Sequence, residues 1–243
     1  MKIFGHTLKN LSKLDNIHSL TKFIRNFAEK NMNIGVLFDL DGVVIDSESI
    51  YTELWNDIEK IYPTGIENFA LKIKGSTLPE ILGTYYPNIN QQKKIRQIIK
   101  DFELHMEYRP FPEAMRFIAE LRANNVKCAI VTSSSMQKME NLYVQNPTFR
   151  EQFDAVITSD VVTYSKPHPE PYLRGSKALD IEISDCFVFE DSLSGIQSGI
   201  NAGATVIGLA TTLPFSQING KAHKTIMDFT GFHLGNMLNC KKR

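Results

Sequence analysis

The sequence predicts an α/β protein: a doubly wound parallel sheet core with an α-helical domain inserted into it. Three observations carry this reading. Short apolar runs recur along the chain, helical patterns separate them, and one long stretch is helical without any strand. The runs are Ile34–Leu40, Val126–Thr132, Ala155–Thr158, Cys186–Phe189 and Thr205–Leu209. They are rich in β-branched and aromatic residues and apolar at successive positions, as strands covered on both faces require. Pro112–Asn124 places Ala114, Phe117, Ile118 and Leu121 on one helical face behind an N-terminal proline. Pro169–Leu179 and Leu193–Ala202 repeat the pattern, and strand alternating with helix argues for an open sheet with crossover connections. From Ser49 to Arg109 the rhythm changes: Ile50–Ile61 is amphipathic, "TLPEIL" begins a second helix and Gln91–Tyr108 reads as a third. The expected organisation is therefore an N-terminal helical extension over 1–33, a core of 34–48 and 110–243, and a helical cap over 49–109.

Bulk composition narrows the classes of function. Of 243 residues, 42% are hydrophobic and 22% charged, which suits a globular protein, and 27 basic side chains balance 27 acidic ones. A surface committed to nucleic acid is not expected at zero net charge, and the basic run Lys93–Lys100 reads as a solvated helix face. No apolar run approaches the roughly 20 residues that span a bilayer. Cys128, Cys186 and Cys240 are distant in sequence, so reduced thiols and a cytoplasmic location are expected. Monomer is the expected state. Residues 1–33 carry leucines, isoleucines and phenylalanines at helical spacing, with six Lys or Arg against two acids, but no compact apolar block or cleavage site of a targeting peptide. Met32 directly precedes the first strand, and residues 1–31 are expected to be dispensable for activity.

Chemistry-bearing residues follow the apparent strands. Asp39 and Asp41 end the first, Thr132 and Ser133 the second, Glu190 and Asp191 the fourth. In open α/β sheets the carboxyl ends of strands line one crevice, so these groups should converge. Four carboxylates there repel one another unless a cation shares the site. Oxygen ligands favour Mg²⁺ over Zn²⁺, and such a Mg²⁺ site usually takes phosphate as its other partner. Lys166, framed by Pro167 and Pro169 in "SKPHPEPY", adds a positive charge from a stiff turn. Thr132 offers a hydroxyl, and Ser133–Ser135 would open a helix whose free N–H groups suit an anion.

The motifs "DLDGVVIDSE", "IVTSS", "SKPHPEPY" and "VFEDSLSGIQSG" stand in one order over Ile34–Gly208. In these the chain resembles the haloacid dehalogenase-like hydrolase superfamily, in particular its β-phosphoglucomutase-like branch with a helical cap. The resemblance implies a Rossmann-like core and Mg²⁺-dependent chemistry on a small phosphorylated metabolite. It implies Asp39 as the nucleophile that becomes an aspartyl phosphate, and Asp41 as the acid and then base, with a pKa raised under a water-excluding cap. Mg²⁺ would be held by Asp39, the backbone carbonyl of Asp41 and Asp191, with Glu190 as a further or water-mediated ligand. Thr132, Ser133 and Lys166 would hold the phosphoryl group. Gly42 fits a tight reversal beside the substrate.

The fate of the phosphoenzyme depends on the cap. Sugar-phosphate mutases of this branch carry a histidine near the position of Tyr51 and an arginine near Leu78; neither is present here. A phosphatase is therefore expected, with a mutase as the alternative and a non-catalytic binding module as a third reading. Glu48 and the Gly75–Ser76 loop are the candidates for specificity, with Lys72 or Lys74 as substitutes for the missing arginine. Trp55 reads as packing, and "VVIDSE" as a flexible lead into the cap, part of its gate.

Overall fold

The computed structural model describes residues 33–241, without the side chains of Glu48 and Ser49. From Ile34 onward the described residues form one compact unit. The extension expected over 1–33 and its dispensability lie outside the described residues, Asn33 excepted. Strand β1 (Gly35–Phe38) is followed by four helices, α1 (Glu48–Ile61), α2 (Phe69–Lys72), α3 (Leu78–Tyr85) and α4 (Ile89–His105). The chain then alternates: α5 (Pro112–Ala123), β2 (Lys127–Val131), α6 (Met136–Gln145), β3 (Ala155–Ile157), α7 (Glu170–Leu179), β4 (Cys186–Glu190), α8 (Leu193–Ala202) and β5 (Thr205–Leu209). A short helix α9 (Phe215–Ile218), β6 (Lys224–Ile226) and α10 (Leu234–Leu238) complete it.

The six strands form one parallel sheet in the order β3-β2-β1-β4-β5-β6. The chain builds outward from β1 to β3, then returns to the other side of β1 with β4. That reversal opens a crevice at the carboxyl ends of β1 and β4, where open α/β sheets bind ligands.

Alternation along the strands sends successive side chains to opposite faces. Leu37, Val131, Val188 and Val206 join Tyr172 and Ile196 in one buried cluster, beneath α7 and α8. Phe38 belongs to an aromatic cluster: its ring stacks on Phe189 at 5.1 Å, with Phe117 and Phe229 edge-on or tilted at 6.3 and 6.2 Å. Close approach of α7 needs Gly175, where a Cβ would lie 2.7 Å from Val131. A strand apolar on every side chain is thus explained by two occupied faces.

The Ser133–Ser135 run opens α6 as expected, with Ser135 as its cap: Ser135 Oγ accepts from Lys138 N at 3.3 Å. Sequence and structure differ in the fold at two places. The edge strand β6 was not expected, because Lys224–Ile226 is only partly buried and carries no apolar run. Nor is "VVI" a flexible lead: Val43, Val44 and Ile45 are fully buried. Their backbone is tied down by Val44 N to Leu40 O at 2.8 Å and Phe111 N to Val44 O at 2.8 Å. Hydrophobic burial anchors this segment, and the ways into and out of the helical insertion run side by side, Asp46 N donating to Arg109 O at 2.9 Å.

The helices of the insertion enclose their own apolar cluster, including Trp55, Ile58, Phe69, Leu82, Tyr86 and Ile95. Trp55 packs edge-on against Phe69 at 5.9 Å, as the packing reading expected. No helix among the described residues is long and apolar enough to cross a membrane. All three cysteines are free, Cys128 and Cys186 buried and Cys240 partly exposed. Burial pushes the Cys186 thiol up to about 12 and that of Cys128 higher still. A thiol reagent at neutral pH should therefore modify one cysteine per native chain, Cys240, and all three after unfolding. Fast modification of Cys128 or Cys186 in peptide mapping of native protein would contradict this packing.

Candidate active site

The tip of β1 delivers Asp39 to the crevice, its N–H held by Phe189 O at 3.0 Å. The Lys166 ammonium, 2% exposed as a residue, sits between Asp39 Oδ1 at 2.6 Å and Glu190 Oε1 at 2.7 Å, and also donates to Val131 O at 3.1 Å. Glu190 is saturated by the protein. Its Oε1 also accepts from the Tyr172 hydroxyl at 2.8 Å, and its Oε2 accepts from Asp191 N, Ser192 N and Ser192 Oγ at 3.1, 3.1 and 3.0 Å. Asp191 differs: its Oδ2 is buried without a hydrogen-bond partner. Gly42, at φ +75°, lets the chain reverse against this carboxylate, since a Cβ there would lie 2.0 Å from Asp191 Oδ2.

Asp41 faces a different set of groups. Lys138 Nζ lies 2.6 and 2.7 Å from its two oxygens, Ser134 Oγ donates at 2.9 Å, and Ser47 Oγ donates to Oδ1. Burial works to raise its pKa, but the Lys138 ammonium and the two hydroxyl donors outweigh burial and hold it below the usual carboxylate range. The expected raised pKa is therefore corrected: burial is outweighed by donors from the start of α6, from Ser134 and from Ser47 just ahead of α1.

Asp39, Asp41, Thr132, Ser133, Asp191, Gly75 and Ser76 line one cavity of about 280 Å³. Lys166 and Glu190 lie behind its wall. The Gly75 loop is stitched to the core by Ser133 Oγ donating to Gly75 O at 2.7 Å and Ser194 Oγ donating to Lys74 O at 2.8 Å. Thr132 Oγ1 accepts from Ser134 N at 3.0 Å and stays on the cavity wall. Tyr51 also faces the cavity, its hydroxyl donating to Glu103 at 2.7 Å. Lys74 reaches the cavity, whereas Lys72 lies over the Tyr85 ring at 5.7 Å. Glu48 opens α1, but its side chain lies outside the described residues.

Sequence reasoning missed Lys138, Glu103 and Arg96, which also line the cavity. Arg96, in the run read as a solvated helix face, is exposed and also lines the cavity. Lys138 had a local signal: it stands in the first turn of α6, where the helix dipole disfavours a cation, so some other group must hold it there.

The profile of the haloacid dehalogenase-like hydrolase family matches residues 36–209, which contain every residue of this site. The chain belongs to that family. Among its relatives is the bifunctional riboflavin kinase/FMN phosphatase of Arabidopsis thaliana, 28% identical over 74% of this chain. The chain spans only 49% of that protein's length. Glycerol-1-phosphate phosphohydrolase 2 of Saccharomyces cerevisiae is 28% identical, over 76% of this chain and 78% of its own. A crystal structure of a HAD hydrolase of family IA, variant 3, from Entamoeba histolytica superimposes with TM-score 0.72 at 26% identity, covering 86% of this chain and 100% of that one.

In this family member Asp39, Glu190 and Asp191 each place a carboxylate oxygen within 4.8 Å of the others. Burial, then Glu190 and Asp39, hold the Asp191 carboxyl well above the usual range. Burial also raises Asp39, to about 7, against the pull of Lys166. Three carboxylates gathered at the Lys166 ammonium, with one buried oxygen unpartnered, fit a divalent cation of the oxygen-preferring kind. Asp39 and Asp191 have room to bind it, whereas Glu190 would have to give up a protein donor. For Lys166, burial opposes its charge, but Asp39 and Glu190 outweigh it and raise the ammonium above the usual lysine value. Lys166→Met should destabilise the metal-free protein by about 3–5 kcal/mol in urea unfolding, because it strands two buried acids. A loss below about 1 kcal/mol would show that the acids are not held by this lysine.

Proposed function

We propose that the protein is a Mg²⁺-dependent phosphatase acting on a small phosphomonoester through an aspartyl phosphate at Asp39. The observation that carries this is the pairing of Asp39 with a buried lysine beside the unpartnered Asp191 oxygen, on the wall of a small cavity. The phosphohydrolase and phosphatase named among its relatives support the reaction class. In this reading the insertion over 49–109 is a cap that shields the cavity.

Asp39, Asp191 and the backbone carbonyl of Asp41 would hold Mg²⁺, which supplies charge neutralisation for the phosphoryl oxygens. Lys166 holds Asp39 in place, and Thr132 offers its hydroxyl to a phosphoryl oxygen. Asp39 attacks phosphorus, and the bond from phosphorus to the ester oxygen breaks. Asp41 gives its proton to the departing oxygen. In the second half a water attacks the aspartyl phosphate, Asp41 takes the water's proton, and phosphate leaves with Asp39 restored. The proton gained there passes to solvent, because the resting carboxylate is held below the usual range, and Asp41 takes up a proton again with the next ester. A carboxylate resting below its usual pKa suits the second half directly.

Hydrolysis is favoured over a mutase by Tyr51. Burial, then Glu103, hold its hydroxyl far above neutral pH, and that hydroxyl is already spent on Glu103. It is not equipped to exchange protons where branch mutases have histidine. A panel of phosphorylated metabolites should reveal a Mg²⁺-dependent phosphate release that chelator abolishes and Asp39→Asn lowers by at least about 10³-fold. Equal rates for wild type and variant would overturn the assignment. Because burial raises Asp39, to about 7, and holds Asp191 well above the usual carboxylate range, Mg²⁺ must displace protons. Calorimetry should show weaker Mg²⁺ binding at about pH 6 than at about pH 8, with proton release. Affinity independent of pH would count against these two ligands.

A further inference from the structure

We infer that Lys138 is a positioning residue that fixes the Asp41 carboxylate in the cavity; this rests on the reading of Asp41 as the proton-carrying group. Neither the motifs nor the family match assigns it a role. Its side chain is 2% exposed, and it stands in the first turn of α6, where both burial and the helix dipole work against an ammonium. A cation stays in such a place only with a close counter-charge. The structure supplies one: both oxygens of Asp41, at 2.6 and 2.7 Å.

The other side of the ammonium is covered by the helical insertion. The Tyr51 ring of α1 lies 4.2 Å from Nζ, a cation–π contact, and is itself held by Glu103 of α4 at 2.7 Å. Lys138 is thus clamped between a core carboxylate and a cap aromatic. Asp41 is left with one charged donor and two neutral ones, Ser47 and Ser134. Without Lys138 only the two hydroxyls would define its orientation. An ion pair serving stability alone has no need to face the substrate space, yet Lys138 and Asp41 both line the cavity. Misplacing a proton-carrying group by about 1 Å can cost about a hundredfold in rate.

A residue that acts through Asp41 must lose its effect once Asp41 is gone, which a double-mutant cycle reads directly. With p-nitrophenyl phosphate and saturating Mg²⁺, Lys138→Met should lower kcat by about a hundredfold while KM changes by less than about threefold. In the Asp41→Asn background the same change should alter kcat by less than about twofold. Lys138→Arg, which keeps the cation, should restore part of the rate. If Lys138→Met does not fold, Lys138→Arg takes its place in the cycle, with a smaller fall that must again vanish in Asp41→Asn. Equal factors in both backgrounds, a fall confined to KM, or no fall would overturn the role of Lys138 alone. A wild type that releases no phosphate, or an Asp41→Asn with wild-type kcat, would overturn the reading of Asp41 beneath it.

Discussion

Everything at the carboxyl end of the sheet depends on one charge balance. Asp39, Glu190 and Asp191 converge around the Lys166 ammonium, which pairs with the first two. Bringing like charges together away from water is costly unless each is paired or neutralised. Glu190 is answered in full by Lys166, Tyr172 and the Ser192 turn. Asp39 is answered on one oxygen, and Asp191 retains an oxygen with no partner. The shortfall is positive charge. A divalent cation and the phosphoryl group it brings would meet that demand, so the cost of gathering these acids and an affinity for such a ligand would have one origin.

The fold exists around that cluster in a concrete sense. Strand β1 is covered on both faces, so Asp39 leaves the sheet at a rigid point. The switch between β1 and β4 brings residues about 150 positions apart into contact. Gly42 and Gly195 allow the backbone to pass beside the acids; a Cβ at Gly195 would lie 1.7 Å from Glu190 Oε1. Above the crevice, the insertion contributes a wall held down by serines of the core. Its inner face mixes apolar Ile73, Ile81 and Ile99 with Lys74 and Arg96.

Much of this was legible in the sequence. Five strands were marked by apolar runs too short for helices, and the ends of three carried polar residues, so the convergence of Asp39, Glu190 and Asp191 followed from topology, whereas Lys166 stood out only through its proline-framed turn. The features that were not legible depend on the third dimension. Strand β6 owes its place to a sheet edge rather than to its own burial. Lys138 and Glu103 are ordinary surface residue types until the fold turns them toward Asp41 and Tyr51. The resting charge of Asp41 was misjudged for that reason: burial can be anticipated from a cap, but the donors it meets cannot. Arg96 was hidden in a charged helix whose cavity-facing side no periodicity distinguishes.

The central claim is that Asp39 becomes phosphorylated during turnover. The most direct test is to quench the enzyme in acid during steady-state hydrolysis with Mg²⁺ and locate any phosphoryl group by peptide mass spectrometry. The account predicts an acid-stable, hydroxylamine-labile phosphoryl group on Asp39. Phosphate release with no phosphoprotein under conditions that trap such a species, or a phosphoryl group on any other residue, would contradict it.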